Sequence, residues 1–117
     1  MSKMASESHL QKAVATYLDF RGVLWCHVAN ERKTRSKKMG GYWVGQGVKS
    51  GVPDCLIFEP SKHYAGLAIE LKNGKGKRVS PNQKTWLSGL QNKNWRAEVA
   101  YSFEEAIEII ESYLAME

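Results

Sequence analysis

Apolar residues recur along this chain with two periods, and the alternation between them outlines its elements. Leu10, Ala13, Val14, Tyr17 and Leu18 fall at helical spacing, with Ser6 placed to cap the start and Gly22 to stop the end, so a helix is expected over residues 7–21. Residues 23–28 then carry the β-branched and aromatic content of a short strand. Residues 54–58 and 66–72 are two further strand-like runs, joined by a connection short enough for an antiparallel hairpin. Ser80-Pro81-Asn82-Gln83 opens a helix: Ser80 is a cap, Pro81 suits the first helical position and Gln83 occupies the capping-box position. Trp86, Leu87 and Leu90 are its expected buried stripe. A strand near residues 97–101 leads to Ser102-Phe103-Glu104-Glu105, a second capping-box pattern, and to a last helix with Phe103, Ala106, Ile107, Ile110 and Leu114 on its apolar face. Between these elements, residues 29–52 are basic and punctuated by glycine. Met39, Tyr42, Trp43 and Val44 admit a short helix there, opposed by Gly40, Gly41, Gly45 and Gly47. The order is αβ(α)ββαβα with the bracketed helix optional: a mixed α/β fold, a small mixed central sheet flanked by helices, in a single domain over residues 1–117.

The hairpin has a chemical consequence. With Phe58 opposite Gly66, antiparallel pairing sets Asp54 opposite Glu70 at its open end. Alternation puts Leu67, Ile69 and Leu71 on one face of the second strand and Ala68, Glu70 and Lys72 on the other, so Glu70 and Lys72 project together. Two adjacent carboxylates are ligands for a hard divalent cation, and a cation so held supports phosphodiester hydrolysis. Lys72 beside them can orient or deprotonate a water, or stabilise developing negative charge. Each part also has a plain structural reading. Glu-x-Lys spacing occurs again at Glu31-Arg32-Lys33, so Glu70 and Lys72 are equally describable as a surface ion pair. Asp54 can be a turn residue after Val52-Pro53, Glu7 a partner of the first helix dipole, and Gln83 a capping residue.

Charge supplies the partner. The chain of 117 residues has a net charge of +5. Six of its basic residues, Arg32, Lys33, Arg35, Lys37, Lys38 and Lys49, precede the Asp54 segment with no acidic residue among them. Lys75, Lys77 and Arg78 follow Glu70, whereas residues 98–117 carry six glutamates and no Lys or Arg. Positive charge on both sides of the carboxylates points to a polyanion, and a nucleic acid is expected to bind there. Cys26 and Cys55 lie in apolar runs without metal-ligand spacing and read as small core residues of a reducing compartment. His9, His27 and His63 share no ligand spacing and read as structural or surface residues. Trp25, Trp86 and Trp95 read as core, with Tyr42 and Trp43 the better candidates for base stacking. No apolar run resembles a signal peptide or a membrane span, so a cytoplasmic, non-secreted protein is expected.

Glu7 in the first helix, Gly51-Val52-Pro53-Asp54, Glu70-Leu71-Lys72 and Gln83 together resemble the VRR-NUC family of the PD-(D/E)XK nuclease superfamily, in the order and spacing of a minimal stand-alone domain over about residues 6–115. The resemblance implies a restriction-endonuclease-like fold and a metal-dependent DNA endonuclease. It implies that Asp54, Glu70 and the backbone carbonyl of Leu71 bind Mg²⁺ or Mn²⁺, that Lys72 acts on the attacking water, and that Glu7 and Gln83 complete the site. It further implies 5′-phosphate and 3′-hydroxyl products, no organic cofactor, and a homodimer selective for branched DNA such as four-way junctions or flaps. Two other readings stay open on the residues: a non-catalytic basic module that binds nucleic acid, and a sequence-specific restriction-type endonuclease.

Overall fold

The computed structural model describes residues 7–29 and 45–116. Its elements are helix α1 (Glu7–Arg21), strands β1 (Trp25–His27), β2 (Cys55–Ile57) and β3 (Leu67–Leu71), helix α2 (Pro81–Asn92), strand β4 (Arg96–Ala100) and helix α3 (Phe103–Leu114). The strands form one sheet in the order β1-β2-β3-β4. The first two pairings are antiparallel, and β4 runs parallel to β3. A parallel neighbour requires a crossover, and α2 supplies it. The expected optional helix, and Ser6 as cap of α1, lie outside the described residues.

Leu67, Ile69 and Leu71 turn one sheet face toward α1 and α3, where they join Leu10, Val14, Leu18, Ala106, Ile110 and Tyr113 in one core. On α1 the buried residues are spaced by four, which makes one narrow stripe; Ala13, expected in it, is exposed. Gly22 ends this helix at φ +73°, with its N–H bonded to the Leu18 carbonyl at 3.1 Å, the left-handed stop that a residue lacking Cβ adopts without strain. Tyr113 is wholly buried with its hydroxyl donated to the Glu59 carbonyl at 2.6 Å, so α3 is pinned to the β2–β3 connection.

The opposite face carries Ala68 and Glu70 on β3, Lys72 directly after it and, in register with Ala68, Ala97 on β4. Small residues at 68 and 97 let α2 approach, and Gln91 of α2 donates to the Ala97 carbonyl at 3.0 Å. Trp86, Leu87 and Leu90 do not form a fully buried stripe: all three are half-buried, and no residue of α2 is buried outright. The helix meets the sheet at both ends, at Ala97 through Gln91 and at Glu70 through Gln83. At its start Ser80 accepts the Gln83 N–H while Gln83 accepts the Ser80 N–H, the expected reciprocal box. At α3 only half of the box forms. Ser102 accepts the Glu105 N–H, but the Glu105 side chain accepts from the Tyr101 N–H, one residue earlier.

The cysteine reading holds for Cys55, which is buried in the core, and fails for Cys26, which is exposed. Cys26 pairs with Leu56, which pairs with Ala68, so it lies on the Ala68 face at the sheet edge opposite β4, where α2 is seated. Trp25, Trp86 and Trp95 are half-buried rather than enclosed.

Gly51 joins the segment leading to Asp54 with the start of α2. It has φ +95°, and a Cβ there would lie 2.6 Å from the Asn82 carbonyl carbon, a backbone atom that cannot step aside. Ser50 and Asn82 close the same junction with a 3.0 Å hydrogen bond. Gly51→Ala combines backbone strain with overpacking and is expected to destabilise the fold by about 2–4 kcal/mol. Chemical denaturation of the two proteins measures this directly, and equal midpoints with equal slopes would show that the junction yields.

Candidate active site

Cys55 pairs with Ile69 and Ile57 with Leu67, so the register carried one step further sets Asp54 opposite Glu70. The Asp54 side chain bridges the strands, with Oδ2 accepting the Leu71 N–H at 2.7 Å. This is a bond between two strands, not the local bond of a turn residue. On its other side the Asp54 carbonyl accepts the Val28 N–H at 2.8 Å and lies 3.0 Å from His27 Nδ1.

Glu70 is 3% exposed and Lys72 9%. Their Oε2 to Nζ separation is 3.5 Å, so the pair is a buried one and not a surface ion pair. Gln83 Nε2 donates to the same Oε2 at 2.9 Å. Because Gln83 Oε1 is held by the Ser80 N–H, the capping box fixes which end of the amide faces Glu70, and one side chain both starts the helix and serves the carboxylate. Glu70 Oε1 is buried with no hydrogen-bond partner.

Burial drives the electrostatics. Desolvation, and then the neighbouring Asp54 charge, push the Glu70 carboxyl up to about 8, with Lys72 opposing the rise. Desolvation also raises Asp54, offset by the Leu71 N–H and by His27. Two carboxyl groups this close and this dry retain a proton between them unless positive charge replaces it. A divalent cation meets that requirement, and Glu70 Oε1, buried without a hydrogen-bond partner, is an oxygen it could take as a ligand. Among the described residues, no three His, Cys, Asp or Glu side chains converge tightly enough to enclose a cation unaided. The residues present therefore suit an ion such as Mg²⁺, which keeps several waters and takes only one or two carboxylates.

Glu7 stands beside the pair: its Oε2 accepts the Asn73 N–H at 3.4 Å, just beyond β3, and its charge raises Asp54. Of the basic candidates, Lys49, Lys77 and Arg78 are exposed. Lys75 is also exposed but is paired with Glu105 of α3 at 3.0 Å, so its charge is partly committed within the fold. Arg32, Lys33, Arg35, Lys37 and Lys38, like Tyr42 and Trp43, lie outside the described residues. Sequence reasoning passed over His27, set aside with the other histidines. Its proximity to Asp54 depends on the β1–β2 pairing, which joins segments far apart in the chain and leaves no mark in either. Cys55, next to Asp54, has its thiol pushed up to about 12 by burial and touches Gln11 Nε2 at 3.6 Å, so it is an inert packing group.

The sheet and its three helices have the architecture of a PD-(D/E)XK-like nuclease. A solved VRR_NUC domain protein superposes with a TM-score of 0.76 over 98% of this chain and 93% of its own, at 23% identity. A second solved VRR_NUC domain gives 0.62 over 92% and 96%, at 22% identity. The VRR-NUC domain profile matches residues 5–104, and the chain belongs to that family. No curated protein sequence matches it. Membership makes this a nuclease-type, DNA-directed domain. Among the described residues, no helix is long and apolar enough to cross a membrane.

The raised Glu70 carboxyl predicts a pH slope. Between its ordinary 4.5 and about 8, the folded chain holds a proton that the unfolded chain releases, so stability falls as pH rises through that window. In metal-free buffer the wild type is expected to lose up to about 1.4 kcal/mol per pH unit there, and Glu70→Gln to flatten the slope. Parallel slopes in urea denaturation from pH 5 to 8.5 would refute the assignment to Glu70. Gln83→Glu keeps the cap but sets a third carboxylate on Glu70. It is expected to cost about 1–3 kcal/mol at pH 8 and less at pH 5, with the helical circular dichroism unchanged.

Proposed function

We propose that this chain is an Mg²⁺- or Mn²⁺-dependent DNA endonuclease. The observation that carries the reading is the buried, partnerless Glu70 Oε1 next to Asp54, in a pair of carboxyls that burial holds above their ordinary range. Asp54 and Glu70 would hold the cation, with the Leu71 carbonyl as the further ligand that the family pattern suggests. When bound, the cation supplies Lewis-acid activation of the phosphate and lowers the pKa of a bound water.

The chain's own residues do the rest. Gln83 and Lys72 both occupy Glu70 Oε2, which leaves Oε1 as that carboxylate's open position. The Leu71 N–H does the same for Asp54, taking Oδ2. Lys72, held at the edge of the pair, directs its ammonium protons to the attacking water or to the negative charge that develops on phosphorus-bound oxygen. Glu7 secures the chain where it leaves β3. Lys49, Lys77 and Arg78 contact the DNA backbone and leave the choice of sequence open. Hydrolysis then yields 5′-phosphate and 3′-hydroxyl ends.

Selectivity for four-way junctions or flaps, and a homodimer presenting two sites, follow the pattern of the stand-alone VRR-NUC domains that this sequence resembles. The rival reading, a basic module without catalysis, needs Glu70 and Lys72 to be a solvated ion pair, and their burial weighs against it.

Asp54→Ala and Lys72→Ala are each expected to lower cleavage by at least about 10³-fold with Mg²⁺ or Mn²⁺, while Asp54→Ala retains DNA binding. Junction, flap and linear duplex DNA assayed side by side, with solution mass determined on the same sample, test the finer claims. Undiminished cleavage in chelator removes the cation from the mechanism, and equal rates on all three substrates remove branch selectivity.

A further inference from the structure

His27 is neither a member of the carboxylate pair nor a part of the core. It is exposed, it ends the edge strand β1, and in register it faces Cys55, the residue after Asp54. Its ring nevertheless makes a defined contact, with Nδ1 3.0 Å from the Asp54 carbonyl. A carbonyl oxygen only accepts, so Nδ1 carries the hydrogen and the tautomer is set by the main chain of a candidate cation ligand.

Asp54 needs such a hold. It lies just outside the paired residues of β2 and is entered through Gly51, at φ +95°. The side-chain bond to the Leu71 N–H ties it toward β3, and the Val28 N–H and the His27 ring tie its carbonyl toward β1. With both sides held, the Asp54 side chain keeps its place against Glu70. An isolated hydrogen bond on an exposed edge adds little to global stability. Its effect is local, in restricting where Asp54 can go.

We propose that His27 is a positioning residue of the cation site, acting through the Asp54 main chain by way of its Nδ1–H. The proposal rests on the reading of Asp54 and Glu70 as cation ligands, and extends it to a residue outside the VRR-NUC motifs. Groups that orient a ligand from behind commonly change metal affinity by 10-fold or more when removed.

The test uses the full chain without DNA and follows Mn²⁺ binding by calorimetry, with Asp54→Ala as the control. His27→Ala is expected to weaken Mn²⁺ binding about tenfold while its thermal midpoint stays with the wild type. His27→Asn, whose amide nitrogen falls near the place of Nδ1, is expected to restore most of that affinity, and His27→Gln, whose nitrogen falls near Nε2, is not. A second readout is independent of metal. Hydrogen exchange at the Leu71 amide, protected by Asp54, is expected to accelerate in His27→Ala and to recover in His27→Asn, with Ile69 unchanged. If the wild type binds Mn²⁺ and His27→Ala binds equally well, or if Asn is as weak as Ala, the positioning role is overturned and the cation site stands. If the wild type binds no Mn²⁺, the cation reading falls; unchanged Leu71 exchange in His27→Ala then overturns the positioning role as well.

Discussion

The antiparallel register of β2 on β3 is the constraint on which the rest of this structure turns. Cys55 against Ile69 buries one face of both strands in the core, and the same register brings Asp54 level with Glu70. Slipping it by one residue would move Ile69 and Leu71 out of the core and separate the two acids together, because alternation ties the faces to each other. The apolar packing of α1 and α3 on one side thus holds the carboxylates on the other. Core and site are two readings of one alignment.

That alignment is costly at the carboxylate pair. Glu70 lies within the buried run of β3 and Lys72 is buried just after it, with one carboxylate oxygen of Glu70 unpartnered. A core strand built for stability alone would place an aliphatic residue there, since an ion pair removed from water seldom repays its desolvation. Gln83 and Lys72 offset part of the cost at Oε2, and the remainder stays as a carboxyl group held well above its ordinary range. Such a local conflict in an otherwise consistent fold is the physical ground for proposing a site there. The near-contact of Gly51 with Asn82 serves the same end from outside the sheet, by setting the Asp54 segment directly on the helix that carries Gln83.

Several elements were legible from spacing alone because they rest on local physics. The bounds of α1, the hairpin of β2 and β3 with its register, and the box at Ser80 and Gln83 each follow from a periodicity or a cap within one short stretch. Readings failed where neighbours distant in sequence decide burial. Cys26 looked apolar but lies on an exposed edge, and Trp86, Leu87 and Leu90 sit on a helix with no fully buried residue. Glu105 matched the capping-box pattern, yet its carboxylate takes the Tyr101 N–H and the Lys75 ammonium instead.

By itself, then, the amino-acid order determined which residues could share a strand face, where helices start, and that an antiparallel hairpin could set Asp54 opposite Glu70 with Lys72 on the same face, since all of these are encoded within one turn or one hairpin. Only the tertiary structure decided that Glu70 is enclosed with an oxygen to spare, that the Gln83 amide serves a helix cap and a carboxylate at once, and that His27 reaches the Asp54 main chain. Desolvation and strand-to-strand contact depend on what folds over a residue from elsewhere in the chain, and no local pattern records it.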